Sequence, residues 1–246
     1  MEISEFVKTL EREGQLLADT AERAGLDAHV PTCPGWRVTD LLRHTGSVHR
    51  WAAGYLLEAV MERLPFPDAP ELVGSELLAW FREGHADLVR ALREAPADLQ
   101  TWTFLPTAPS SPLAFWARRQ AHETTVHRMD AEAALGIAFS PVDARFAEDG
   151  VDELLTGFHA RTRSLVRTEE PRTMRIRAAD TGAVWTVHLS PEPARTVVGD
   201  EGPADCEIVG TAQWLYTALW NRRPLTGPEV SGDTSLARLW IENAGI

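Results

Sequence analysis

Up to about Val166 the apolar residues of this chain recur at helical spacing between proline-rich breakers, and after Thr168 they alternate instead. Such a change of period means one body built from helices and a second built largely from strands. From about Glu2 to Gly25, the apolar positions Phe6, Leu10, Leu16, Leu17 and Ala24 fall at helical spacing. The loop VPTCPGW (Val30–Trp36) interrupts it, and helical spacing returns from Val38 to about Arg63. LPFPDAPEL breaks the chain, Ser75 can cap a helix reaching about Glu94, and LPTAPSSP breaks it again. Ser111 followed by Pro112 then opens a helix through FWARRQAHETTVHRMDAEAAL. A further amphipathic segment runs from Val142 to Val166, before the charged linker RTEEPRT.

The segments MRIRAAD, AVWTVHL, ARTVVG and DCEIVG alternate or are β-branched, with turns at Asp180–Gly182 and Gly199–Gly202. They predict a small antiparallel sheet, followed by helices in TAQWLYTALWN and SLARLWIEN. The expectation is an α+β chain of two domains, residues 1–168 and 169–246.

Charge narrows the function. A net charge of −12, with no basic stripe to offset it, argues against a nucleic-acid partner. The start, MEISEFVKTLEREG, holds no apolar run long enough for a signal peptide or a membrane span, so a cytoplasmic protein is expected. Two distant cysteines, Cys33 and Cys206, cannot build a disulfide framework and suit a reducing compartment. Cys33, flanked by proline and close to Trp36, reads as part of a structured approach to the second helix.

Chemistry concentrates on three residues. Glu123 and His127 are four apart on one helix, a rotation of about 400°, so their side chains stack one turn apart on one face. His44 falls on the stripe Leu41, His44, Val48, Trp51 and Tyr55 of an earlier helix, which points it inward as a third ligand. Three protein ligands leave a position open, as in a catalytic metal site. His49 lies at the flank of that stripe and is expected to face a loop or water. His122 and His127 are five apart, which breaks the spacing of a zinc protease helix. By spacing alone, Glu123 and His127 also fit a solvent-exposed pair worth a few tenths of a kcal/mol. Their face, however, carries Trp116, Gln120, Asp130, Ala131 and Ala134 as well, and polar groups inside a bundle are costly unless paired or metal-bound.

VPTCPGWRVTDLLRHTGSVHRW and WARRQAHETTVHRMDAEAALG together resemble the mycothiol-dependent maleylpyruvate isomerase family within the DinB-like metalloenzymes. The resemblance implies a DinB-like four-helix bundle holding zinc through His44, Glu123 and His127, then a smaller sterol-carrier-like α/β domain. It also implies mycothiol as the thiol cofactor or co-substrate. A thiol of pKa about 8.5 loses its proton on a metal. Held there, it could add reversibly to an activated double bond and allow cis–trans isomerisation, or transfer to an electrophile. A hydrolase using the same metal on water, and a non-catalytic small-molecule-binding or regulatory protein, are the rival readings. Gln120 or Asp130 could orient His127, while Arg119, Arg222 or Arg223 could meet a carboxylated substrate. The partners expected are a small substrate and a small thiol, with the chain a monomer or homodimer.

Overall fold

A computed structural model describes residues 1–105, 111–199, 202–226 and 229–245. It divides into two compact units, the first ending at Ser140 and the second resuming at Pro141.

Among the described residues, the first unit holds four helices, α1 (Ile3–Ala24), α2 (Val38–Glu58), α3 (Gly74–Glu94) and α4 (Pro112–Leu135). The predicted start of α4 holds: Ser111 accepts from the Ala114 amide, and Pro112 occupies the first turn, where its missing N–H costs nothing. Gly136 ends the helix in the left-handed conformation, φ 74°, giving its amide to the carbonyls of Ala133 and Glu132. Helix α4 packs on α1 and α2 and is buried on most of its circumference, which is why polar residues lie inside on it. On α1, Phe6, Leu10 and Leu17 are buried as the stripe requires, whereas Leu16 faces outward and Glu13 inward.

Helix α2 departs from expectation. Its buried surface is wider than the Leu41–Tyr55 stripe and takes in Thr45, Gly46, Ser47, His49, Ala52 and Ala53. Gly46 lets a neighbour approach: a Cβ there would lie 2.3 Å from the Trp80 ring. His49 is buried against Phe81 and His85, and its Nε2 lies 2.8 Å from Thr124 Oγ1. His44, expected to point inward, is half-exposed instead.

The second unit begins upstream of the predicted boundary at 168, because the segment 142–166 packs with the later elements. Helix α5 (Ala144–Asp152) runs into a π-helical turn, Glu153–Phe158, and contacts α6 (Ala212–Leu219). The sheet comprises β1 (Arg172–Ala178), β2 (Val184–Leu189), β3 (Arg195–Val198), β4 (Cys206–Gly210) and β5 (Val230–Gly232), in the order β3-β2-β1-β4-β5. A last helix, α7, covers Ser235–Asn243. Met174, Ile176 and Ala178 alternate inward on β1, as do Trp185, Val187 and Leu189 on β2.

The sheet is mixed, not purely antiparallel. Strand β4 pairs with β1 in parallel, Ile208 opposite Ile176, while β2, β3 and β5 join antiparallel. Alternation fixes which face of a strand is buried but is the same for either direction of pairing. Thr196 Oγ1 donates to the Leu155 carbonyl and Trp185 Nε1 to Asp152, tying the sheet to the helical segment that precedes it.

Candidate metal centre

Helices α2 and α4 bring His44, Glu123 and His127 together. One donor atom from each lies within 4.8 Å of the other two. The Nε2 atoms of both histidines face the same carboxylate oxygen, Glu123 Oε1, at 3.3 Å from His44 and 3.1 Å from His127. The two imidazoles meet edge to face, with centroids 5.0 Å apart. His44 is half-exposed, whereas His127 is buried.

His127 Nδ1 donates to Asp130 Oδ2 at 2.8 Å, and Asp130 is fully buried. With Nε2 facing Glu123, both ring nitrogens have partners, so Asp130 rather than Gln120 orients this imidazole. Gln120 is buried, with its Oε1 lacking a hydrogen-bond partner among the described residues. Arg119 is also buried, and its Nη2 donates to Glu123 Oε2 at 3.1 Å. That places its guanidinium beside the carboxylate. Arg222 and Arg223 belong to the second unit, just beyond α6; Arg222 Nη1 donates to the Trp220 carbonyl at 2.8 Å, and Arg223 is exposed.

The charges explain the titration. Burial opposes protonation of His127, but the carboxylates of Glu123 and Asp130 outweigh it and raise its pKa to about 9. Burial also opposes ionisation of Glu123, yet His127, His44 and Arg119 hold its carboxyl well below the usual range. His49 is kept neutral, first by burial and then by the nearby His85.

Sequence reasoning missed the loop that borders the group. Thr32 and Cys33 reach Asp130, and the Trp36 ring lies 5.0 Å from that of His44 and stacks on His127 at 6.1 Å. Phe66 stacks on His44 from another loop, at 6.3 Å. The motif VPTCPGW marked a turn, but nothing in its spacing tied it to a helix so far along the chain. Trp116, by contrast, is core, and its Nε1 donates to the Trp102 carbonyl.

Residues 7–132 match the mycothiol maleylpyruvate isomerase N-terminal domain, and residues 145–239 match the corresponding C-terminal domain. The chain belongs to the mycothiol maleylpyruvate isomerase family. A crystal structure of the mycothiol-dependent maleylpyruvate isomerase is similar at a TM-score of 0.63 and 13% identity, covering 95% of this chain and 94% of that one. A mutant of it with one histidine changed to alanine has the same TM-score and coverage, at 12% identity. At this identity the likeness is one of fold. Among curated proteins, no match is found. No described helix is long and apolar enough to cross a membrane.

Proposed function

We propose that this chain is a zinc-dependent enzyme that uses mycothiol for thiol-assisted cis–trans isomerisation, or thiol transfer, on a small electrophilic or carboxylated substrate. The observation carrying this reading is the convergence of His44, Glu123 and His127, with Asp130 fixing the imidazole of His127 from behind. Two imidazoles and one carboxylate suit zinc, and three ligands leave room for an exogenous one. Zinc bound there would supply a cation that strips the proton from a thiol and holds its sulfur as a nucleophile.

The remaining roles fall to the chain itself. Asp130 keeps the Nδ1 proton of His127 in place, so that Nε2 is the nitrogen offered to the metal. Arg119 holds Glu123 in orientation through Oε2. Trp36 and the half-exposed Phe66 flank the histidines and would limit water beside the reacting sulfur. Arg222 and Arg223 remain our candidates for a substrate carboxylate, and Gln120 for a polar contact to the thiol cofactor. The first unit is read as a DinB-like four-helix bundle and the second as sterol-carrier-like, in a cytoplasmic protein.

The deciding experiment incubates the zinc-loaded protein with maleylpyruvate, with and without mycothiol. Isomerisation only in the presence of mycothiol is expected. Turnover that ignores the thiol would favour a hydrolase, and a protein that takes up no metal would leave a binding role.

A pH dependence follows from His127. In the metal-free protein its charged form stabilises the fold fully below pH 6.5, and this contribution is lost as pH rises through about 9. Zinc must displace that Nε2 proton, so its affinity is expected to move the other way. It should rise about tenfold per pH unit toward 9 and then level off. Competition with a chromophoric chelator between pH 6.5 and 9.5 reads this slope, and a flat profile would contradict it.

A further inference from the structure

We propose that the loop Val30–Trp36 is a clasp on the metal centre, with Thr32 and Cys33 acting as positioning residues for His127 through Asp130; the inference rests on the metal reading above. Asp130 has no exposure to solvent, and a carboxylate buried that deeply is tolerated only when its oxygens receive donors. The loop supplies two of them. Thr32 Oγ1 donates to Asp130 Oδ1 at 2.5 Å, and Cys33 Sγ donates to Oδ2 at 3.4 Å. His127 Nδ1 shares that second oxygen, at 2.8 Å. Asp130 is thus gripped from the loop side and grips His127 on the other.

The loop has the rigidity this role requires. The Val30 amide donates to the Trp36 carbonyl, the Cys33 amide to Val30 and the Trp36 amide to Cys33, all within 3.1 Å. Gly35, at φ 87°, makes the turn that a side chain would strain. The same short loop lays Trp36 against both histidines, 5.0 Å from the ring of His44 and 6.1 Å from that of His127. It therefore bears on His44 by ring contact, and on His127 by ring contact and, through Asp130, by hydrogen bonds. Partners that orient a metal-binding imidazole affect metal affinity by about 10–100-fold. Thr32 acts one bond further out, so the lower end of that range applies.

The test measures zinc Kd by chelator competition in the full chain, beside the thermal midpoint of the metal-free protein. Thr32→Val is expected to weaken zinc binding about tenfold, and Thr32→Ser to restore it. Cys33→Ala removes the weaker donor and should cost a few-fold; it also keeps the test open should Thr32→Val fold poorly. The visible spectrum of the cobalt-loaded protein should change in Thr32→Val and return in Thr32→Ser. A Thr32→Val protein with a lower metal-free midpoint but unchanged zinc Kd and cobalt spectrum overturns the clasp and makes Thr32 merely structural. Wild-type protein that takes up neither ion overturns the clasp together with the reading beneath it.

Discussion

Glu123→Gln is expected to lose zinc and, with it, thiol-dependent turnover. Both histidine Nε2 atoms face Glu123 Oε1, so this carboxylate is the one anionic group of the trio and its geometric centre. Zinc sites in peptides are worth about 10–16 kcal/mol over four ligands. Removing one of three ligands, and its charge, should therefore weaken zinc by roughly two to three powers of ten. The amide retains a carbonyl oxygen for Arg119, so the fold is expected to survive the exchange. The readouts are metal content after dialysis and turnover with mycothiol. A variant that keeps full zinc and full activity would remove Glu123 from the centre.

Arg128→Met should produce the largest loss of stability. Arg128 has no exposed surface; its Nε donates to Glu13 Oε2 on α1 at 2.7 Å, and its Nη1 to Glu132 Oε2 on α4 at 2.6 Å. Glu132 in turn accepts from the hydroxyl and amide of Ser140, so the guanidinium also helps anchor the end of the first unit. Methionine fills much of the volume but leaves two buried carboxylates without their shared cation. Breaking a buried pair from one side costs about 3–5 kcal/mol. Urea unfolding of the metal-free protein measures it. A cost under about 1 kcal/mol would mean that Arg12, which pairs with Glu13 Oε1, already neutralises that site from the surface.

The sequence made some of this legible and left other parts dark. Ser111–Pro112 announced α4, and four-residue spacing put Glu123 and His127 on one face, because cap chemistry and helical pitch are local properties. The same local reasoning misjudged α2. A stripe of apolar residues predicts a buried face only when the neighbouring helices sit at ordinary distance. Gly46 lets Trp80 in closely, Phe81, His85 and Thr124 cover His49, and His44 ends half-exposed. His44 still reaches Glu123, though from the rim of the helix rather than its inner face.

Alternation identified β1, β2, β3 and β4, yet was blind to the parallel pairing of β4 with β1. It also missed the three-residue β5, too short to carry a period. The amphipathic segment after Val142 was visible as a helix, but which body it joins depends on contacts with α6, a partner far along the chain. Helical pitch and the Ser111 cap of α4 were thus settled by the sequence alone, since each depends on neighbours within a turn or two. Helix α3, by contrast, starts at Gly74 behind Val73 and does not use the Ser75 cap expected of it. The meeting of His44 with Glu123, and of Thr32 with Asp130 across a separation of 98 residues, was decided only by the tertiary structure. Side-chain spacing along a helix states which way a group points, and only packing supplies what it points at.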